Sequence, residues 1–230
     1  SRDRDYSKTI FRRGSMATQG HGREVVVLSG KRTGFGTFGG SLKRFSATDL
    51  GVFSSTAAIE AAGITPHQID HTFFGNALQT SADAIYLARH IALRAGIPDE
   101  KPALTINRLC GSGFEAVVQG AKEIILGEAD VALTGGTESM SQAPHVVRGA
   151  RWGGLRLGPA GGQFEDLLWG ALTDTNCGLS MAQTAEELAE RYGITRPEVD
   201  AVAFHSHQRA KTAWGEGHFD AEVTPIVFKT

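Results

Sequence analysis

The chain has 230 residues, 41% of them hydrophobic, which is enough to bury a substantial core. Its formal net charge is −2 and both signs are mixed along the chain, so we expect no nucleic acid and no membrane surface as a partner. Two cysteines, Cys110 and Cys177, do not make a disulfide framework and favour a reducing compartment.

Hydrophobic periodicity and turn residues predict an alternation of strands and helices. We expect residues 1–21 to be a tag or a disordered N-terminus. The predicted strands are Glu24–Leu28 (buried), Asp70–Gly75, Ala103–Asn107 and Asp130–Thr134, and the predicted helices are Thr48–Ala62, Ala84–Ala95 and Gly113–Leu126, with Thr48 as a helix cap. This order predicts an α/β fold with a mostly parallel sheet covered by helices on both faces.

The pattern changes after Val146. Residues 146–178 contain many glycines and show little periodicity, and so long an irregular insert in a compact domain is usually functional. Helices are predicted at Met181–Tyr192 and Pro197–Trp214, followed by a strand at Glu222–Lys229.

Several candidate motifs favour ordinary structural roles. Gly34 to Gly39 spell G-x-G-x-x-G, but residues 40–45 separate these glycines from the next helix, so a shaped loop is a better interpretation than a nucleotide site. His205 and His207 are two positions apart on a helix and point to different sides, which is poor metal geometry. We therefore predict no metal site, and we interpret Cys177 as structural.

Cys110 is the strongest candidate for chemistry. It lies where a predicted strand stops and a helix starts, beside free backbone N–H groups and the positive end of a helix dipole. Such surroundings lower the pKa of a thiol, and the thiolate is the nucleophile. Gly111 and Gly113 leave room for an approaching acyl group. The alternative is a buried core cysteine, a common fate of a free thiol.

Two stretches resemble the thiolases, the family of 3-ketoacyl-CoA thiolases and acetyl-CoA acetyltransferases. They are Asn107-Arg108-Leu109-Cys110-Gly111-Ser112-Gly113 and the run from Gly135 to Pro144 (Gly-Gly-Thr-Glu-Ser-Met-Ser-Gln-Ala-Pro). The resemblance implies a layered αβαβα fold of two similar α/β halves, with a loop domain inserted in the first. It further implies that residues 22–145 belong to the N-terminal half, 146–215 to the loop domain, and 216–230 to the last strand of that half.

The resemblance also implies the chemistry of the site. Cys110 would be the catalytic nucleophile, and its backbone N–H would be one donor to a tetrahedral oxyanion. Gly111 and Met181 would contact the substrate. Coenzyme A and acyl-CoA would be substrates, with no other cofactor, and the expected assembly is a homodimer or homotetramer. Acetoacetyl-specific members often have a histidine before the methionine, and Ser180 in its place favours a broader chain-length range.

The chain also departs from the family pattern. Members carry Gly-His-Pro, Asn-Glu-Ala and Cys-x-Gly motifs in a second half, and none of the three occurs in these 230 residues. We therefore expect the C-terminal half to be absent and this piece alone to be inactive. Two alternatives stay open, namely a ketoacyl synthase-like condensing enzyme and a non-catalytic truncated paralogue.

The N-terminus is the basis for the expected location. Residues 1–13 contain four arginines, as a transit peptide would, but Asp3 and Asp5 are atypical of one. We expect a cytoplasmic protein, with the mitochondrial matrix as the alternative.

Overall fold

The computed structural model describes residues 22–154 and 164–227, so the predicted N-terminal tag (1–21) lies outside the described residues. The centre of the fold is a parallel sheet of three strands, β1 (His71–Gly75), β2 (Ala103–Ile106) and β3 (Ala132–Gly136), in the order β2-β1-β3. β1 lies in the middle, with Phe73 opposite Leu104 on one side and Thr134 on the other. The predicted parallel sheet is therefore confirmed.

Helices cover both faces of this sheet. Phe74 points to one face, where it packs with Ala47, Leu87 and Ile91 from α1 (Ala47–Ala61) and α2 (Leu87–Arg94). Phe73 points to the other face, towards α3 (Ser112–Leu126). Both rings are almost fully buried, and alternate residues of a strand face opposite sides. Burying each ring contributes roughly 1.5–3 kcal/mol. The prediction of a sheet covered on both faces is correct.

The start of α1 differs from the prediction. Ser46, not Thr48, is the N-cap: its Oγ accepts a hydrogen bond from the Asp49 N–H (3.0 Å), and Asp49 Oδ2 accepts one from the Ser46 N–H (2.9 Å). This reciprocal pair is a capping box, which satisfies two backbone donors at once. Thr48 is fully buried inside the first turn of the helix.

The predicted buried strand at Glu24–Leu28 is wrong. These residues are exposed (Val27 to 83%), and no backbone hydrogen bond joins them to another strand of the described chain. The segment is tied only at its ends, by an Arg23–Asp130 ion pair (2.6 Å) and by Ser29 Oγ donating to Ala58 O (2.6 Å). An apolar run favours burial, but a strand also needs a neighbouring edge with free N–H and C=O groups.

Two other strand predictions need correction. β3 begins at Ala132 and includes Gly135 and Gly136, so it lies two residues later than predicted. The predicted strand at Glu222–Lys229 is reduced to a single bridge between Val223 and Arg32, which donates to Glu222 O and accepts from the Thr224 N–H. Residues 228–230 lie outside the described residues.

The second part of the chain consists of short elements followed by two long helices. The short elements are β4 (His145–Val147), α4 (Ala150–Gly153), β5 (Phe164–Asp166), α5 (Leu167–Ala171), β6 (Thr173–Asp174) and β7 (Leu179–Ser180). The predicted helices are confirmed as α6 (Met181–Tyr192) and α7 (Arg196–Gly215), each opened by a capping box. The predicted domain boundaries stay predictions.

Many apolar side chains face solvent. On α3, Phe114 is 81% exposed and Leu126 is 67% exposed, whereas Ala116 on the opposite side is fully buried. Neither α6 nor α7 has a buried residue. Across residues 22–154 and 164–227, every helix is too short or too polar to cross a membrane.

Candidate active site

Cys110 lies in a tight turn between β2 and α3. The residue before it, Leu109, has φ +50°, the one positive φ of a non-glycine residue in the described chain. The residue after it, Gly111, is the N-cap of α3. We call residues Asn107 to Gly111 the Cys110 turn. A positive φ at a residue with a large side chain is strained and persists only where its surroundings enforce it.

Hydrogen bonds hold Leu109 on both sides. Its N–H donates to Asn107 Oδ1 (3.0 Å). Its carbonyl oxygen accepts from the Ser112 N–H (3.0 Å) and from Ser112 Oγ (2.6 Å). Because Ser112 is buried, its two bonds to Leu109 are partly shielded from water, whereas the bond to Asn107 is exposed. Three hydrogen bonds to neighbouring residues therefore hold Leu109 in its strained conformation.

Glycines bring the start of α3 against the ends of the strands. A Cβ on Gly75, at the end of β1, would lie 2.4 Å from the carbonyl carbon of Ser112. A Cβ on Gly136, at the end of β3, would lie 3.0 Å from the Cα of Gly113. Backbone therefore packs directly on backbone here, and the sheet determines where the helix begins.

The thiol of Cys110 is accessible. Cys110 is exposed, so the alternative of a buried core cysteine is wrong. Its backbone N–H makes no hydrogen bond with any described residue. That N–H lies one residue before the helix N-cap and is available to a negatively charged ligand atom.

Cys110 and Met181 line the same groove. The groove also contacts the loop carrying Phe35 and Phe38. Met181, at the start of α6, is 45% exposed, and its N–H donates to Leu172 O (2.9 Å). Gly111 is not among the residues that line the groove, so its substrate contact stays a prediction. Ser180, which precedes Met181, caps α6 by accepting a hydrogen bond from the Gln183 N–H.

Glu138 is a residue of this groove whose importance the sequence reasoning missed. Its carboxylate accepts hydrogen bonds from Asn76 Nδ2 (2.7 Å), the Ala77 N–H (2.9 Å) and the Leu78 N–H (3.2 Å). Burial raises the pKa of Glu138, while these three donors oppose that rise. The Gly-Gly-Thr-Glu motif was visible, but its partners lie 60 to 62 residues away in the chain.

Cys177, His205 and His207 are not among the residues that line this groove. Cys177 is exposed in the turn before β7, with its Sγ 3.9 Å from Asp174 O. In the part of the chain that the structure describes, His, Cys, Asp and Glu form no group of three or more that could hold a metal ion.

The structure therefore presents an accessible cysteine at a strand-to-helix turn of an α/β sheet. Residues 25–230 match the family model for the N-terminal domain of thiolases. The chain therefore belongs to the thiolase family, which confirms the resemblance predicted from its motifs.

Individual relatives agree with this assignment. The chain is 53% identical to the mitochondrial 3-ketoacyl-CoA thiolase of Homo sapiens over 208 residues, which is 90% of this chain and 52% of that protein. It is 45% identical to the beta-ketothiolase BktB of Cupriavidus necator over 207 residues, covering 90% of this chain and 52% of that protein. The chain thus spans about half the length of the curated relatives it matches.

Solved structures confirm the predicted fold class. The human mitochondrial 3-ketoacyl-CoA thiolase in complex with CoA superposes with a TM-score of 0.84 at 54% identity, over 87% of this chain and 50% of that one. The acetyl-CoA acetyltransferase of Bacillus anthracis superposes with a TM-score of 0.83 at 38% identity, over 89% of this chain and 51% of that one. The fold is thiolase-like, and the match covers the N-terminal half.

Proposed function

We propose that the protein is an acyl-CoA C-acyltransferase of the thiolase type, with Cys110 as its nucleophile. The observation that carries the proposal is the accessible thiol of Cys110, held at a strained turn before the N-cap of α3. The names of its relatives, 3-ketoacyl-CoA thiolase and acetyl-CoA acetyltransferase, support the same reaction class.

The reaction proceeds in two acyl transfers. The Cys110 thiolate attacks the keto carbon of a 3-ketoacyl-CoA and forms a tetrahedral oxyanion, to which the free Cys110 N–H donates a hydrogen bond. The bond between the keto carbon and C2 then breaks. Acetyl-CoA leaves as an enolate that takes a proton at C2, and the shortened acyl group stays on the sulfur as a thioester. The thiolate of CoA attacks this thioester and regenerates the cysteine thiolate.

Coenzyme A and acyl-CoA are the proposed partners, with CoA as a substrate rather than a resident cofactor. A human relative binds CoA in its solved structure, which supports this choice. Met181 lies along the groove from Cys110 and would contact the acyl chain. The serine at position 180 favours a broad range of chain lengths over acetoacetyl-CoA alone.

The proton transfers require a base and an acid in addition to the thiol. The family motifs expected to supply them do not occur in these 230 residues. We therefore propose that a purified chain of 24.5 kDa has no measurable thiolysis activity. Normal turnover by a protein of that mass would contradict this part of the proposal.

The assembly and the location are also proposals. The family resemblance favours a homodimer or homotetramer, which light scattering on the purified protein would test. The human relative at 53% identity is named as mitochondrial, and this supports the matrix alternative over a cytoplasmic location.

The deciding experiment is the intact mass of the protein purified from its source, with and without acetoacetyl-CoA. We expect one added acetyl group on the peptide that contains Cys110, no adduct after Cys110→Ser, and an unchanged adduct after Cys177→Ser. A preparation that catalyses thiolysis but carries the acetyl group elsewhere would refute Cys110 as the nucleophile. A preparation that is longer than this chain and transfers no acyl group from any 3-ketoacyl-CoA would refute the proposed reaction.

A further inference from the structure

We propose that Asn107 and Glu138 are positioning residues that hold the Cys110 turn in its strained conformation. They do so through a continuous chain of hydrogen bonds that crosses the carboxyl ends of the three parallel strands. The inference rests on the proposed function, in which Cys110 is the nucleophile, and it adds two residues that act on Cys110 through the backbone.

The chain of hydrogen bonds begins at the strained residue. The Leu109 N–H donates to Asn107 Oδ1 at 3.0 Å. The same amide then donates through Nδ2 to Ala77 O at 3.0 Å. Asn107 thus joins the Cys110 turn, after β2, to the loop that follows β1.

The chain ends on Glu138. The Leu78 N–H, which belongs to the same peptide group as the Ala77 carbonyl, donates to Glu138 Oε1 at 3.2 Å, so the peptide that receives Asn107 is itself held by the carboxylate. The Ala77 N–H donates to Glu138 Oε2 at 2.9 Å and holds the preceding peptide. Glu138 also accepts from the almost fully buried Asn76. A carboxylate that is partly removed from water needs donors around it, and all three partners of the half-buried Glu138 are N–H groups. The carboxylate is therefore a fixed anchor for the loop after β1.

The anchor is attached to the rest of the sheet. Thr137, the residue before Glu138, makes two hydrogen bonds. Its N–H donates to Gly75 O (3.0 Å), and the Thr137 Oγ1 donates to Ala47 O (2.7 Å). Glu138 is consequently fixed relative to both β1 and α1. A rigid outer support of this kind is what precise placement of a reactive group requires.

Leu109 is the point at which this support acts. A leucine at positive φ returns to negative φ when nothing holds it. Because Cys110 is the next residue, that rotation would displace its side chain relative to the N-terminus of α3. Of the two backbone polar groups of Leu109, Ser112 bonds only the carbonyl. The Leu109 N–H is bonded by Asn107.

The test uses the two free thiols of the same molecule. We would measure the rate of alkylation of Cys110 by iodoacetamide relative to that of Cys177, which is also exposed. Asn107→Ala removes both hydrogen bonds of the amide. Glu138→Gln keeps the shape but places an NH₂ group against N–H donors. Each variant should lower the Cys110 to Cys177 ratio about five- to tenfold, the effect of one or two hydrogen bonds.

Matched controls come from the second part of the chain. Asn176→Ala changes an exposed asparagine next to Cys177, and Glu186→Gln changes an exposed glutamate on α6. Both should leave the ratio unchanged. A merely structural role of Asn107 would lower the melting temperature without changing the ratio, so both quantities are measured on each variant.

Rescue gives the sharpest outcome. Glycine adopts positive φ without strain, so Leu109→Gly should restore much of the ratio in the Asn107→Ala background. If Asn107→Ala does not fold, Glu138→Gln combined with Leu109→Gly decides the question. An unchanged ratio in the folded variants, or a drop that Leu109→Gly does not reverse, would overturn the proposal.

The experiment also separates this proposal from the proposed reaction. Iodoacetamide needs no acyl-CoA, so the ratio reports the Cys110 turn whatever the substrate is. The predicted drop in ratio, in a protein that is longer than this chain and transfers no acyl group, would refute the acyltransferase and leave the positioning residues standing.

Discussion

Replacing Gly75 by alanine tests whether the end of β1 determines where α3 begins. The new Cβ would lie 2.4 Å from the Ser112 carbonyl carbon, 2.6 Å from its oxygen and 2.7 Å from the Gly113 nitrogen. Non-bonded carbon atoms rest at about 3.5–4.0 Å, so roughly 1 Å of space is missing. All three atoms belong to the backbone, and no change of rotamer relieves the contact. The first turn of α3 must therefore move away from β1.

The size of the effect follows from this displacement. Overpacking a well-packed site costs about 1–3 kcal/mol, and a backbone neighbour gives a value near the upper end. With a urea slope of about 2 kcal/mol/M, a loss of about 3 kcal/mol lowers the unfolding midpoint by roughly 1.5 M. Because Cys110 precedes Ser112 by two residues, the ratio of Cys110 to Cys177 alkylation should fall as well.

The matched control is Gly113→Ala, on the helix side of the same contact. A Cβ there would meet no atom within 4 Å. Since alanine is the better helix residue, this variant should be neutral or more stable by up to about 1 kcal/mol. The reasoning would be refuted if Gly75→Ala matched Gly113→Ala in both its urea midpoint and its alkylation ratio.

Three further variants test individual polar contacts. Ser46→Ala removes the cap of α1 and should lower the free energy of unfolding in urea by about 1 kcal/mol. The Asp130 N–H and Lys101 lower the pKa of Asp70 below its ordinary 3.8. The contribution of Asp70 to the stability of the protein is therefore complete above pH 3.8 and is lost as the pH falls through the lowered pKa. Asp70→Asn should lack this loss of stability in urea titrations at acid pH. Burial raises the pKa of Glu138 above 4.5, so stability should decline as the pH rises from 4.5 through the raised value, and Glu138→Gln should not show that decline.

Each of these has an outcome that contradicts it. A Ser46→Ala protein as stable as the original would mean that the capping box contributes nothing. The two pH predictions have opposite signs. For Asp70→Asn, the difference in unfolding free energy from the original protein should become smaller as the pH falls. For Glu138→Gln, the same difference should become smaller as the pH rises towards neutral. A difference that does not change with pH would refute the corresponding prediction.

Local sequence signals were sufficient where the structure depends on local interactions. The boundaries of α3, α6 and α7 agree with prediction to within one residue. The cap of α1 could also have been found, because Ser46 and Asp49 have the spacing of a capping box.

The errors concern partners that are distant in the chain. The apolar run from Val25 to Leu28 has the composition of a β-strand, but it does not say whether a strand edge is available for pairing. The turn at Cys110 follows from the strand, glycine and helix pattern beside it. Its support by Glu138 depends on hydrogen bonds that span about 60 residues, and no local pattern of charge or hydropathy encodes them.

The glycines at the ends of β1 and β3 make the position of Cys110 depend on main-chain contacts, whereas the shape of the groove depends on side chains. The place of Cys110, the proposed nucleophile, depends on main-chain atoms around Gly75, Gly113 and Gly136, whose dimensions are the same for every sequence. The groove around it is lined by side chains such as Phe38 and Met181, which contribute nothing to that main-chain contact. If Cys110 is the nucleophile as proposed, we expect substitutions of the groove side chains to change substrate preference while Cys110 keeps its position.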